Sequence, residues 1–362
     1  MESILNNTSS TLSPTIFAYA FGDLEHELVR QWSSSPQHAR TLFARAYRYG
    51  QRRVMDPLPK RLSALLDDRF FREPVVVKTA ACSRYDESVK FLLGLEDQRN
   101  VEMVLIPEKA RITLCVSTQV GCRQACGFCH TGRMGLIRNL DAAEIVAQVT
   151  LANHFIAENP SWSKHSTSRR RVTNIVYMGM GEPMDNLSAV MKSIDILTDS
   201  RGLAIGLAKI SVSTAGHIDG MREISAKYPR LPLAVSLHSP FDDQRSKLMP
   251  INKRYPLSNL VSLLESISVN HPVMIQYTLI KGVNDSLDHA HALVSLLRNC
   301  AVKINIIPLN EIEPTRFTGP SPESLTKFRN VLYDAGLRTM IRYSKGQDIY
   351  GACGQLIPLE KT

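Results

Sequence analysis

The sequence predicts an α/β protein: a partial (β/α)6-type TIM barrel, preceded by a small N-terminal helical domain and a short connecting β-sheet. Three observations carry this. From residue 111 onward, apolar β-branched runs alternate with helical stretches, the pattern of a parallel sheet clad in helices. Just before, three strand-like runs follow one another with only turn residues between them. The first 70 residues carry helix punctuation instead, with a basic run over 40–61.

Taken in order, residues 1–15 are rich in Ser, Thr and Asn and read as a frayed tail. Residues 22–70 read as helices: Asp23 is placed to cap the first, Pro36 stands near the start of the second, and Pro57 and Pro59 precede a third over 60–68. Residues 75–80, 88–95 and 100–106 read as a small antiparallel sheet. The barrel strands are expected at 112–117, 173–178, 208–213, 233–237, 273–279, 303–308 and 338–342. Helices are expected near 141–157, 186–199, 218–227, 257–269, 286–299 and 322–335, with Asp141 and Ser321 as caps. Residues 158–171 break the rhythm as a polar, basic loop; they read as a tolerated surface insertion, with Arg169–Arg171 as the alternative RNA contact. The expected division is 1–72, a helical, basic, RNA-binding domain; 73–110, the connecting sheet; 111–345, the partial barrel; and 346–362, a C-terminal loop carrying Cys353.

Composition narrows the class. With 362 residues, 44% hydrophobic and 21% charged, the chain can bury a sizeable core. No apolar run reaches membrane-span length, and residues 1–20 lack the basic and apolar regions of a signal peptide. Four of the seven cysteines fall within residues 115–129, which suits a metal or catalytic site in a reducing, cytoplasmic location better than a disulfide framework. The formal charge of +9 favours a polyanionic partner. Arg40, Arg45, Arg48, Arg52, Arg53, Lys60 and Arg61 stand against Asp56 alone across 40–61. That stretch reads either as a solvated helix face or as a phosphate-tracking surface, and Tyr47 and Tyr49 tilt it towards nucleic acid.

The chemistry concentrates at Cys122, Cys126 and Cys129, spaced CxxxCxxC with Phe128 before the third. Iron–sulfur clusters normally take four cysteines, so three leave one iron open to another ligand. A closed zinc site, with His130 adjacent, and buried unpaired thiols are the plainer readings. Other polar residues fall just after expected strands, where barrels place their active sites. Gly181 and Glu182 lie in GMGEP, where glycine permits close approach of a ligand, although such a turn can be only a connection. Ser213, Ser236 and His238 can hydrogen-bond a ligand or simply satisfy turns. Asn310 can read a ring or close an Asx-turn. Cys115, Cys82 and Cys300 read as buried small hydrophobes. Cys353, between small residues in GACGQL, is placed to present a thiol. Glu102 reads as a solvated strand residue.

The segments VEMVLIPE, TLCVSTQVGC, RNL, MGMGEPMDN, VSTAG, SLHSPFDDQRSKLMPINKRYP, GVND, KINIIPLN and DIYGACGQL occur in that order with the three-cysteine motif. Over residues 75–358 the chain thereby resembles the RlmN/Cfr family of radical S-adenosylmethionine (SAM) RNA methyltransferases. The resemblance implies one [4Fe–4S] cluster on Cys122, Cys126 and Cys129, and two SAM molecules per turnover. It implies SAM contacts at Gly181, Glu182, Ser213, Ser236, Leu237, His238 and Asn310. It implies that Cys353 carries the transferred methyl, that Glu102 removes the ring proton, and that Cys115 frees the product by pairing with Cys353 in a disulfide. The implied partners are 23S rRNA, a tRNA anticodon loop and a low-potential electron donor such as flavodoxin, with the enzyme a monomer. Pro183 and TLCVSTQVGC look like the branch that methylates adenine C2, which is the expected position, whereas SLHSP with RSKLMPIN looks at least as much like the alternative, the branch that methylates C8 of the 23S rRNA adenine. A different class, an RNA-binding protein with a structural metal and no enzyme activity, predicts closed zinc and no dependence on SAM.

Overall fold

The computed structural model describes residues 15–32, 35–48, 70, 73–162, 171–268, 271–312 and 317–358. One ten-stranded sheet organises it. The strands are β1 (Val75–Cys82), β2 (Val89–Leu95), β3 (Asn100–Glu108), β4 (Arg111–Cys115), β7 (Asn174–Tyr177), β8 (Ile210–Thr214), β9 (Leu233–Ser236), β10 (Val273–Leu279), β11 (Val302–Pro308) and β12 (Arg338–Ile341), neighbours in that order. A separate ribbon pairs β5 (Gln119–Cys122) with β6 (Gly135–Asn139).

Strands β1 to β4 pair antiparallel and are joined by short turns. From β4 to β12 every pairing is parallel. Parallel neighbours need a crossover, and helices supply it. They are Ala142–Glu158, Leu187–Thr198, Ile218–Lys227, Leu257–Ile267, Leu287–Leu297 and Pro322–Asp334. Asp141 caps the first through a reciprocal capping box with Glu144, and Ser321 caps the last through the Ser324 amide. Each such cap stabilises by about 1 kcal/mol. The order ends in two edges, β1 and β12, so the barrel is partial as expected.

The connecting strands do more than join two parts: β3 pairs with β4, so they extend the barrel sheet itself. As the edge, β1 exposes seven of its eight residues, and Cys82 is therefore exposed rather than a buried hydrophobe. The N-terminal helices Phe21–Trp32 and Pro36–Arg48 pack through Phe21, Phe43 and Tyr47. Asp23 lies within the first turn of its helix instead of capping it. Tyr47 is core, its hydroxyl donating to the Ile16 carbonyl at 3.1 Å, so it is no base-stacking residue. The helix expected at 60–68, Tyr49, Arg52, Arg53, Lys60, Arg61, Arg169 and Arg170 lie outside the described residues. Among the described residues no helix is long and apolar enough to cross a membrane.

Candidate active site

The three-cysteine loop is held at the strand ends by backbone contacts. It begins in β5 and closes into β6, where Gly121 takes φ +76° and an added Cβ would fall 1.9 Å from the Gly135 carbonyl oxygen. Only glycine fits there. The Gly127 amide donates to the Leu248 carbonyl at 3.0 Å, and the Cys129 amide to the Cys126 carbonyl at 3.1 Å. From below, the Gln124 side-chain amide donates to Asp185 at 2.7 Å. Asn186 donates to the carbonyls of Thr118 and Leu140 at 2.8 and 2.7 Å. Asp185 and Asn186 therefore brace the loop, a role their place in MGMGEPMDN did not disclose.

Cys122, Cys126 and Cys129 line one cavity of about 160 Å³ together with Gly181, Glu182, Ser213, Ser236, His238, Asn310 and Cys353. The expected strand-end residues thus converge, with two exceptions. Leu237 is fully buried, its amide donating to the Gln276 carbonyl and its own carbonyl accepting from Arg245, and it does not line the cavity. Glu102 is 2% exposed, not solvated, and lines neither this cavity nor the next. Its Oε1 lies 2.8 Å from the Lys90 ammonium, and its Oε2 accepts from the Ile357 amide at 2.9 Å. Burial holds its carboxyl above the usual carboxylate range, against the opposing pull of Lys90 and the Ile357 amide.

The cavity's electrostatics follow from burial. The Cys122 thiol is pushed up to about 12 and Cys126 well above its ordinary value, both chiefly by desolvation and then by neighbouring negative groups. Cys129 is also raised by burial. Three crowded thiols give up their protons together only when a strongly positive centre replaces them. Glu182 is pushed up to about 7 by burial, although the amides of Ala215 and Met184 donate to it at 2.7 and 3.1 Å. His238 accepts from the Thr278 amide through Nδ1 at 2.9 Å, and burial lowers it to about 3. It is therefore neutral, with its remaining N–H on Nε2 free to donate. Its backbone takes φ +56°, an uncommon conformation for a non-glycine residue that clusters at functional sites. The Asn310 Oδ1 is buried without a partner, while its Nδ2 donates to Ser344 and to the Cys353 carbonyl, each at 3.0 Å.

Sequence reasoning missed Arg245. It is fully buried and donates to the carbonyls of Leu237, Ala215 and Ser236 at 3.1, 2.7 and 3.1 Å and to Asn252 at 2.6 Å. It ties the ends of β8 and β9 together beneath the cavity. A single Arg in a polar run gives no signal of this, because all its partners but one are backbone.

Cys353 sits where two spaces meet. On its other side lies a crevice of about 30 Å³ that it shares with Cys115 and Arg342. Cys115 is buried, and desolvation raises its thiol against the opposing field of Arg342. The Cys353 loop is tied to the cysteine loop: the His130 amide donates to the Gly354 carbonyl at 2.8 Å, and the Thr131 hydroxyl to the Leu356 carbonyl at 2.7 Å.

A parallel barrel with three thiols and a ligand cleft at its mouth defines a radical SAM enzyme. The family model described as the Radical SAM superfamily matches residues 116–294. A dual-specificity RNA methyltransferase RlmN of Ruthia magnifica subsp. Calyptogena magnifica is 42% identical over 283 residues, covering 76% of this chain and 77% of its own. A probable dual-specificity RNA methyltransferase RlmN 1 of Protochlamydia amoebophila is 39% identical over 358 residues, covering 97% and 94%. The crystal structure of a radical SAM methyltransferase from Sphaerobacter thermophilus superposes with a TM-score of 0.88 at 37% identity, covering 96% of this chain and all of that one. The chain belongs to the RlmN family of radical SAM RNA methyltransferases.

Membership implies a [4Fe–4S] cluster and SAM, and the residues present fit both. Three thiols line the cavity, although among the described residues no three His, Cys, Asp or Glu side chains are grouped to hold a single metal ion, and a carboxylate, a neutral imidazole and an unpartnered amide oxygen face the same space.

Proposed function

We propose that this RNA methyltransferase acts on C2 of an adenine in 23S rRNA and of an anticodon-loop adenine in tRNA, through a methyl group carried on Cys353. The observation that carries this is the place of Cys353 between the cavity of Cys122, Cys126 and Cys129 and the crevice of Cys115. An adenine C2–H is neither acidic nor nucleophilic, so a polar methyl transfer has no path. Bound at the three thiols, the cluster and SAM supply a carbon-centred radical able to take hydrogen from an unactivated methyl.

This chain's own residues do the rest. Glu182 holds the ammonium of SAM, and His238 and Asn310 bond its carboxylate and nucleoside, with Ser213, Ser236 and the Gly181 backbone completing the seat. Cys353 gains a methyl from one SAM by displacement and presents it towards the cavity, where the second is held. Having given one hydrogen to that radical, the methylene carbon on Cys353 bonds to the adenine, linking protein and RNA, and the odd electron of the adduct would pass to the group held by Cys122, Cys126 and Cys129. Glu102 accepts the ring proton, which requires its bonds to Lys90 and Ile357 to yield. Cys115 gives up its proton and attacks the Cys353 sulfur; the sulfur–carbon bond breaks with its electron pair going to the carbon, which takes up a proton to become the methyl group, and a Cys115–Cys353 disulfide remains for reduction. We assign cluster reduction to a low-potential donor such as flavodoxin, and the working form to a monomer.

The test is mass spectrometry of nucleosides from RNA treated with reconstituted enzyme and SAM. The expected product is 2-methyladenosine. A product of 8-methyladenosine instead would overturn the C2 assignment, and full turnover by Cys353→Ala would overturn the methylcysteine route.

A further inference from the structure

The Cys115 crevice does not end at Cys353. Lys345, which lines it, also lines a surface groove of about 660 Å³ built from the β1–β2 turn and the β3–β4 turn. Tyr85, Arg84 and Lys109 form much of its wall. Tyr85 is 87% exposed, more than any other large apolar or aromatic side chain among the described residues. Single exposed aromatics are ordinary; this one is unusual in how firmly its turn is held. The amides of Tyr85 and Asp86 donate to the Ser83 hydroxyl at 3.1 and 3.2 Å. Asp86 accepts from the Gly346 amide at 2.8 Å, and the Arg84 amide donates to Asp348 at 3.0 Å. The Trp162 indole donates to the Glu87 carbonyl at 3.1 Å. The turn is thus pinned to the segment leading into Cys353.

The charges are also uneven in availability. Among the acids of the groove, Glu108 is paired with Arg111, Asp86 is consumed by the turn, and Glu87 turns one carboxylate oxygen inward, buried without a hydrogen-bond partner. Arg84, Lys109 and Lys345 have no ion-pair partner among the described residues. A rigid aromatic beside free cations is the arrangement that binds an unpaired strand, the ring stacking on a base and the cations meeting phosphates. The reaction needs such a strand, since an adenine can reach a protein sulfur only when taken out of its stack.

We propose that this groove receives an unpaired stretch of substrate RNA next to the target adenine, with Tyr85 stacking on a neighbouring base and Arg84, Lys109 and Lys345 meeting phosphates. This rests on the methyltransferase reading above. The test measures binding of an RNA hairpin with the target adenine in its loop to the reconstituted holoenzyme, by fluorescence anisotropy across a salt series. Tyr85→Ala is expected to weaken binding about fivefold or more with the salt slope unchanged, and Tyr85→Phe to restore it. Arg84→Ala with Lys109→Ala is expected to lower the log–log slope by about 0.7–0.9 for each phosphate that the pair neutralises in wild type. Thermal melts confirm that the variants fold. Methyl uptake on Cys353 from SAM without RNA, read by intact mass, is expected to equal wild type in all of them. Absence of that uptake in wild type would sink the catalytic reading. Wild type that methylates RNA while the variants bind it with unchanged affinity and slope would overturn the groove alone, as would equally Tyr85-dependent binding of a fully paired duplex.

Discussion

The two spaces that flank Cys353 differ in size and in what they can hold. The cavity towards Cys122, Cys126 and Cys129 is about 160 Å³, lined by groups of both polarities, one of them an amide oxygen without a partner. The crevice towards Cys115 is about 30 Å³, little more than the share of one water. The first is shaped to take in a ligand. The second is lined closely by the protein's own groups, among them two thiols, a guanidinium and the Lys345 side chain. The proposed reaction assigns radical generation to one side and release of the product to the other, with a single sulfur serving both.

Substitutions on each side should separate these roles. The largest effect is expected at the mouth: Cys126→Ala should abolish SAM cleavage after anaerobic reconstitution, assayed by 5′-deoxyadenosine release. Cys115→Ala should leave that cleavage intact and instead accumulate a protein–RNA adduct, visible as a band retarded on a denaturing gel. Should both variants lose cleavage alike, the division between the two spaces fails. Arg245→Met should cost about 3 kcal/mol or more in denaturant unfolding, because several buried carbonyls lose their donor at once.

Glu182 sharpens the comparison through pH. Its carboxyl, ordinarily near 4.5, is pushed up to about 7. Between those values the folded chain holds a proton that the unfolded chain has lost, so this group's contribution to stability falls as pH rises across the window and is level above it. SAM, whose ammonium the proposed seat gives to ionised Glu182, should behave oppositely: its affinity at pH 6 should be about tenfold below the plateau reached above pH 8. Glu182→Gln should flatten that dependence in equilibrium dialysis. The smallest effect is expected far from both spaces, where Asp141→Ala should cost about 1 kcal/mol in unfolding and leave SAM binding unchanged.

Much of this was legible because it is periodic. All seven parallel strands and the six helices between them fall within a few residues of their expected places, since apolar runs bounded by turn and cap residues report burial directly. The helix Ile218–Lys227 matches end to end. What escaped was short or nonlocal. Strands β5 and β6 lie in a stretch broken by glycines and cysteines and outside the strand–helix alternation, yet they frame the cysteine loop. Asp185, Asn186 and Arg245 act on partners distant along the chain, mostly backbone, which no local pattern encodes. Tyr47 misled for the converse reason. Arginines beside it in sequence suggested solvent, but helical spacing turns it inward against Phe43.

One pair of hydrogen bonds bears on how the protein is made. The Thr131 hydroxyl meets the Leu356 carbonyl across a separation of 225 residues, and the His130 amide meets the Gly354 carbonyl beside it. During synthesis the thiol loop emerges long before the segment that closes over it. A chain cut between Thr131 and Leu356 keeps all three cysteines of the loop and loses both bonds that fasten it to the C-terminal segment.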